Sequence, residues 1–125
     1  MVIDTSALLA MLFNEPQGTW VAEQLRLNRG RLMMSTVNLA ETVIRMRSVL
    51  GGAATAAEAD LYKGDVQFVP PTVEHARQAA MARGRFPLNL GDCFAYALSA
   101  AENCPILTLD DDFRRCDRPL VMPAG

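Results

Sequence analysis

The sequence contains few of the residues that usually build zinc-dependent or disulfide-bonded sites. It has one histidine and three cysteines, an odd number without a C-x-x-C pair. These counts argue against a zinc site and a disulfide framework, and they favour reduced thiols in a cytosolic protein. No apolar run is long enough to span a membrane, and Asp4 stands where a signal peptide would have a cationic start. We therefore expect a soluble protein located in the cytoplasm.

Lysine is almost absent as well. Lys63 is the single lysine among 12 basic residues, and all the others are arginines. Arginine suits bidentate contact with phosphate better than lysine does, although a compositional bias of the genome explains the excess equally well. With a net charge of −2 the chain has no global basic field, so any nucleic-acid partner must be recognised by local features.

Half of the 125 residues are hydrophobic, which suits one compact domain over residues 1–125 with a core of its own. Short apolar runs predict strands at residues 1–4, 31–35, 66–69, 105–109 and 119–122. Helical spacing predicts helices at about 5–13, 20–28, 35–50, 72–84 and 91–103, with a short, partly exposed helix within 51–64. This alternation predicts an α/β domain with a mainly parallel sheet and helices on both faces.

Several acidic residues stand at the ends of these predicted elements. Asp4 and Asp110 each follow a strand, and Asp92 begins a helix. Parallel sheets bind ligands outside the carboxyl ends of their strands, at a switch point in strand order, so Asp4 and Asp110 are expected to meet. Simpler explanations exist for each feature: Asp4 as a helix N-cap, Asp92 as a complement to a helix dipole, and the acidic triplet 110–112 as a solvated turn.

Glu41 has no such simple explanation. The apolar spacing of its helix puts Val37, Ala40 and Ile44 beside it, on a face that we expect to be at least partly buried. A buried carboxylate needs a partner. Two like charges about 4 Å apart repel by roughly 4 kcal/mol at an effective dielectric of 20, so acids that converge on one sheet edge destabilise the fold unless a cation joins them. Oxygen ligands favour hard ions, which predicts Mg²⁺ or Mn²⁺.

Four segments of the chain are similar, in order, to those of one known family: VIDTSALLAMLFNEP, STVNLAETVIRM, LNLGDCFAYALSAA and ILTLDDDF. They resemble the PIN-domain ribonucleases, and in particular the VapC toxins of bacterial toxin-antitoxin pairs. The resemblance covers nearly the whole chain and is weakest at residues 51–59. It implies a single PIN-like domain with three layers, α/β/α, around a mainly parallel central sheet.

The resemblance also implies the site residues, position by position. The first acid of the family, in a D-T-S pattern, falls on Asp4, the helix glutamate on Glu41, and the aspartate of an L-N-x-G-D pattern on Asp92. The last acids, in a T-x-D-x-D-F pattern, fall on the first and third residues of the triplet, although a shift of one residue leaves Asp111 open. The predicted catalytic residues and ligands of Mg²⁺ or Mn²⁺ are Asp4, Glu41, Asp92, Asp110 and Asp112.

The activity implied by this resemblance is endonucleolytic hydrolysis of RNA, a tRNA or rRNA, by a metal-activated water. The implied partners are a second copy of the chain and a VapB-like antitoxin whose C-terminal segment covers the acidic cleft. Two arginine pairs lie near the predicted site in sequence: Arg83 with Arg85, and Arg114 with Arg115. They would contact the RNA backbone, or alternatively cap helices or pair with surface acids.

Other functions fit parts of the sequence. A strand that ends in Asp4 also suits the aspartyl phosphoryl transfer of haloacid-dehalogenase-like phosphatases, but those enzymes need a second aspartate where this chain has Ser6. A response-regulator receiver needs a lysine that the later strands lack. The remaining alternative is a catalytically silent PIN-like module that binds RNA or serves as a scaffold. Loss of an acid would favour that alternative, and none of the predicted acids is missing.

Overall fold

The structure is a computed structural model, which describes residues 1–124. Its strands are β1 (Val2–Ile3), β2 (Met33–Ser35), β3 (Gln67–Val69), β4 (Ile106–Leu107) and β5 (Leu120–Val121). Its α-helices are α1 (Thr5–Leu12), α2 (Gly18–Leu27), α3 (Thr36–Leu50), α4 (Ala54–Lys63), α5 (Val73–Arg85) and α6 (Leu90–Glu102). The predicted alternation is confirmed, with shorter strands than predicted. The segment 51–64, where a short helix was predicted, forms a 3₁₀ turn followed by α4.

All five strands run parallel in one sheet, in the order β3-β2-β1-β4-β5. The chain builds outward from β1 to β3 and then crosses to the other side of β1 to form β4. Val2 of β1 therefore pairs with Met33 on one side and with Ile106 on the other. The switch in strand order lies between β1 and β4, the two strands that precede Asp4 and Asp110. The prediction that these strand ends would be neighbours is confirmed.

The sheet separates two hydrophobic cores, because successive side chains of a strand point to opposite faces. Val2 and Ile106 pack with buried residues of α5 and α6. Ile3 and Leu107 lie on the opposite face, where they pack with residues of α1 and α2. Helices thus cover both faces, as the three-layer α/β/α prediction requires. Within residues 1–124, no helix combines the length and the apolar character needed to cross a bilayer.

The buried face of α3 differs from the one predicted. Its buried residues are Asn38, Thr42 and Met46, whereas Ala40 is exposed and Ile44 is 66 % exposed. The expectation that Ala40 and Ile44 widen a buried apolar face was wrong. Polar residues occupy this face because they find hydrogen-bond partners there: the Thr42 hydroxyl donates to the Asn38 carbonyl at 2.8 Å.

Candidate active site

A cavity of about 410 Å³ lies where β1 and β4 end, and four of the five predicted acids line it. They come from separate parts of the chain and are Asp4, Glu41, Asp92 and Asp110. Asp112 and the alternative, Asp111, do not line it. The sheet topology explains the convergence for Asp4 and Asp110, which follow adjacent strands, while α3 and α6 supply Glu41 and Asp92.

Asp4 is held by hydroxyl groups at the end of β1. It is the N-cap of α1, and only 2 % of it is exposed. Its Oδ2 accepts hydrogen bonds from Ser6 Oγ at 2.7 Å and from Thr108 Oγ1 at 2.9 Å. Burial raises the pKa of the Asp4 carboxyl, and the hydrogen bonds from Ser6 and Thr108 oppose that rise. The negative charge of Asp110 raises this pKa further.

Glu41 is held by neutral donors as well. Its Oε1 accepts hydrogen bonds from Thr5 Oγ1 and from Asn38 Nδ2, both at 2.9 Å. The carboxylate lies against the first turn of α6, where a Cβ atom on Gly91 would collide with both of its oxygens. Glycine at this position therefore leaves the space that the Glu41 carboxylate occupies.

Asp92 takes part in the cap of α6 and also lines the cavity. The backbone N–H of Asp92 donates to Asn89 Oδ1 at 2.8 Å, and the backbone N–H of Asn89 donates to Asp92 Oδ2 at 3.3 Å. This capping box fixes the carboxylate at the start of the helix. Burial raises the pKa of Asp92 to about 7, and the negative charges of Asp4, Asp110 and Glu41 add to the rise.

The three aspartates of the triplet 110–112 lie in different surroundings. Asp110 caps the 3₁₀ turn at Asp111–Arg115, and its Oδ1 accepts the backbone N–H of Asp112 at 2.9 Å. Asp111 is exposed and accepts a hydrogen bond from Arg114 Nε at 2.9 Å. Asp112 is exposed and contributes its backbone to the orientation of Asp110. Of the three, Asp110 reaches the cavity, and a role for the Asp112 carboxylate stays a prediction.

The four cavity acids share one arrangement of their oxygens. One oxygen of each carboxylate accepts neutral protein donors: Asp4 Oδ2, Glu41 Oε1, Asp92 Oδ2 and Asp110 Oδ1. The second oxygen of each has no hydrogen-bond partner within residues 1–124, and none of these four oxygens is fully enclosed. Four partly accessible carboxylate oxygens around one cavity are the donor type that Mg²⁺ and Mn²⁺ prefer.

The acids surround the cavity rather than forming a compact cluster. In the part of the chain that the structure describes, no three acidic, histidine or cysteine side chains lie close enough together to form a metal-binding group.

The arginine at the site is one that the sequence did not predict. Arg45 lines the cavity, and none of the four arginines predicted at the rim does. Arg85 instead pairs with Asp117 at 3.5 Å, and Arg114 pairs with Asp111. Arg45 follows Glu41 by four positions on α3, which is about one helical turn. This spacing puts the two side chains on the same helix face, and it is the signal that could have predicted Arg45 at the site. No ion pair of Arg45 is present among residues 1–124.

Comparison with known proteins gives one consistent result. The PIN domain family matches residues 1–119 of the chain. The VapC ribonuclease Mb0640 of Mycobacterium bovis is 35 % identical, over 94 % of this chain and 95 % of its own length. The fold resembles that of DNA-bound VapBC from Salmonella typhimurium, with a TM-score of 0.78 at 16 % identity, over 97 % of this chain and 96 % of the other.

A second solved structure has the same fold. It is VapC20 of Mycobacterium tuberculosis, described as a toxin that cleaves the sarcin-ricin loop. The TM-score is 0.78 at 21 % identity, over 98 % of both chains. At this identity the likeness concerns the fold alone.

Proposed function

Because the chain belongs to the PIN-domain family, and within it to the VapC ribonucleases, we propose that it is a metal-dependent endoribonuclease toxin that hydrolyses RNA phosphodiester bonds. The observation that carries this proposal is the set of four carboxylates around one cavity at the switch point of the sheet, each with one oxygen free of protein donors. Without a cation, the mutual repulsion of these carboxylates destabilises the fold. Their oxygens are suitable ligands for a hard cation.

The proposed ion is Mg²⁺ or Mn²⁺, and the residues that would hold it are Asp4, Asp92 and Asp110, with Glu41 completing the set. Asp112 is proposed to contribute through bound water. When bound, a divalent ion of this kind activates a water molecule and stabilises charge on the phosphate group. The donors on Asp4 and Glu41 are all neutral, so they orient these carboxylates without supplying the positive charge that a metal would bring.

An acidic cavity repels the RNA backbone, so the substrate needs a cation from the protein. Arg45 meets this requirement, because it lines the cavity and pairs with no acid in the described chain. Its guanidinium would bind a phosphate oxygen next to the bond that is cleaved, since arginine matches phosphate geometry in a bidentate manner. We propose a structured tRNA or rRNA as substrate, recognised through shape and through bases turned out of the helix.

The same family membership supports partners for this chain. We propose a VapB-like antitoxin that covers the acidic cavity and blocks it, and a homodimer of the toxin. One structure that shares the fold is a VapBC complex, which supports an assembly of this kind. Co-expression with a candidate VapB-like antitoxin, followed by purification, checks the complex, and light scattering on the isolated toxin checks the dimer.

The experiment that tests the activity is cleavage of total cellular RNA by the purified, antitoxin-free protein. Wild type is compared with Asp4→Asn in Mg²⁺, in Mn²⁺ and in EDTA. Asp60→Asn is the matched control, because Asp60 is an exposed acid on α4 whose described ion pair is with Lys63. We expect discrete fragments from wild type and Asp60→Asn in the presence of metal, and none from Asp4→Asn or in EDTA.

The alternative of a catalytically silent RNA-binding module predicts a different result. Wild type would then bind RNA and leave it intact in both metals, and Asp4→Asn would behave as wild type does. Cleavage that persists in EDTA would contradict the metal-dependent mechanism itself.

A further inference from the structure

Asn38 is the most unusual polar residue of α3. It is fully buried, and its Nδ2 donates hydrogen bonds to Glu41 Oε1 at 2.9 Å and to the Gly91 carbonyl at 3.0 Å. Its Oδ1 has no partner, and within residues 1–124 it is the only fully buried side-chain nitrogen or oxygen without one. A buried acceptor without a donor is rare in folded proteins and calls for an explanation.

Asn38 is a poor choice for stability alone. Asparagine is an unfavourable residue inside a helix, and a buried carbonyl oxygen without a donor loses the hydrogen bonds that it makes with water. A leucine has nearly the same shape and would avoid both costs. The explanation must therefore lie in what the amide nitrogen contacts, which is Glu41 and the backbone of Gly91.

The Asn38 amide contacts one cavity acid, Glu41, and the backbone of the residue that precedes another, Asp92. On Glu41, the hydrogen bonds from Asn38 and Thr5 both end on Oε1, so the carboxylate is fixed with Oε2 free of protein donors. At Gly91, the amide fixes the first turn of α6. Asp92 is the next residue in that turn. One buried side chain thus links the Glu41 carboxylate to the backbone beside Asp92.

We propose that Asn38 is a positioning residue of the metal site, which orients the Glu41 carboxylate and holds it in register with Asp92. This inference rests on the proposed metal-dependent nuclease function. Residues that orient metal ligands through hydrogen bonds change metal affinity or activity by about 10- to 100-fold when they are replaced. We expect a loss of this size for Asn38→Leu, which keeps the volume and removes the amide.

The competing explanation is that Asn38 only ties α3 to α6. Thr42→Val is the matched control, because Thr42 is equally buried on the same face and its hydroxyl bonds the Asn38 carbonyl without reaching a cavity acid. A structural tie would lower the stability of Asn38→Leu and leave its metal affinity unchanged, because only Asn38 bonds α6, whereas the Thr42 hydroxyl bonds within α3. A positioning role lowers metal affinity for Asn38→Leu alone.

The experiment is calorimetric titration of Mn²⁺ into wild type, Asn38→Leu and Thr42→Val, with thermal unfolding of each protein in EDTA. We expect the Kd for Mn²⁺ to rise about 10- to 100-fold for Asn38→Leu and to stay within about twofold for Thr42→Val. In cleavage assays, kcat should fall while KM for RNA changes little, because Asn38 is buried and does not line the cavity.

Two further variants keep the test decisive. If Asn38→Leu does not fold, Asn38→Ser takes its place, because the smaller hydroxyl fits the site and cannot reach both acceptors. In a Glu41→Gln background, replacing Asn38 should cause little additional loss of Mn²⁺ affinity, since the two residues act as a unit.

The outcomes separate this inference from the proposed function. Wild-type Mn²⁺ affinity in Asn38→Leu overturns the positioning role and leaves the nuclease proposal intact. Failure of wild type itself to bind Mn²⁺ and to cleave RNA overturns both.

Discussion

Thr108 Oγ1 donates a hydrogen bond of 2.9 Å to Asp4 Oδ2, across 104 positions of sequence, and both residues are buried. The same hydroxyl oxygen accepts the backbone N–H of Asp110 at 3.0 Å. One threonine therefore connects the acid that follows β1 to the acid that follows β4. The relative positions of Asp4 and Asp110 are set by the pairing of these two strands.

Asp4→Asn should separate activity from stability. Asparagine caps a helix as well as aspartate does, and its carbonyl oxygen can still accept the hydrogen bonds from Ser6 and Thr108. The substitution also removes one charge from a cluster of acids that repel one another. We expect unchanged or higher resistance to urea in EDTA. Cleavage should fall by more than the roughly 10- to 100-fold that is typical when a residue that only orients a metal ligand is replaced.

Asp4→Ala is the control for the helix cap, since alanine cannot accept the hydrogen bond from the Ser6 backbone. It should cost about 1 kcal/mol of unfolding free energy in addition to the loss of activity. An Asp4→Asn protein that is clearly less stable than wild type would contradict the electrostatic argument.

The metal-free protein should lose stability as pH rises from about 4 to 7. The pKa of Asp92 is about 7 in the folded protein, against about 3.9 in an unfolded chain. Between these values the folded state binds more protons than the unfolded state, so the free energy of unfolding decreases with pH. The raised pKa of Asp4 acts in the same direction. The decrease should be on the order of 2 to 4 kcal/mol.

Urea unfolding in EDTA at pH 5 and pH 8 measures most of this decrease. Asp92→Asn should flatten the dependence, and saturating Mn²⁺ should raise stability at pH 8, by about 2.7 kcal/mol at a hundredfold excess over its Kd. Stability that increases from pH 5 to pH 8 in EDTA would show that the acids are compensated by something other than a metal.

Gly91→Ala should impair the site without unfolding the protein. The added Cβ collides with the Glu41 carboxylate, which is the end of a flexible side chain and can move away. Alanine also stabilises a helix by up to about 1 kcal/mol relative to glycine. We expect unfolding free energy close to that of wild type, weaker Mn²⁺ binding and slower cleavage.

Gly84→Ala is the matched control for this prediction. Gly84 lies in α5, and a Cβ there meets no atom within 4 Å. This variant should gain stability and keep both Mn²⁺ affinity and cleavage. Equal Mn²⁺ affinity in the two alanine variants would mean that the position of Glu41 is unimportant for the site.

Arg45→Ala should weaken RNA binding and make it less sensitive to salt. Each phosphate contact contributes about 0.7 to the slope of log affinity against log salt for single strands. The measurement is fluorescence anisotropy with labelled RNA in the Asp4→Asn background, where no cleavage interferes. Arg47→Ala is the control, since Arg47 lies on the same helix, does not line the cavity and pairs with Glu58 at 3.5 Å. An unchanged salt slope for Arg45→Ala would exclude the phosphate contact.

Single asparagine substitutions in the acidic triplet should have unequal effects. Asp110→Asn should remove cleavage, because Asp110 is the member that lines the cavity. Asp112→Asn should reduce cleavage less. Asp111→Asn should reduce it least, since the Asp111 carboxylate forms an ion pair with Arg114. Rates of RNA cleavage under saturating Mg²⁺ give the order. A larger loss for Asp111→Asn than for Asp110→Asn would reverse the assignment of the triplet.

The alternation of strands and helices, and the acids that follow the strands, could be predicted from the amino-acid sequence. These features have local causes. Short apolar runs form buried strands, hydroxyl and carboxyl groups cap helices, and apolar residues are spaced along one face of a helix. Parallel pairing then brings Asp4 and Asp110 to one edge, because strands joined by helices must end on the same side of the sheet.

Which polar residues contact one another depends on how the helices pack. The hydrogen bond from Asn38 to Gly91 spans 53 positions and exists because α3 packs against α6. Ile44 is 66 % exposed, against the prediction, and it lines the cavity together with Arg45. Apolar periodicity could not predict this face, because Asn38 and Thr42 are buried through hydrogen bonds whose partners are fixed only when the helices are packed.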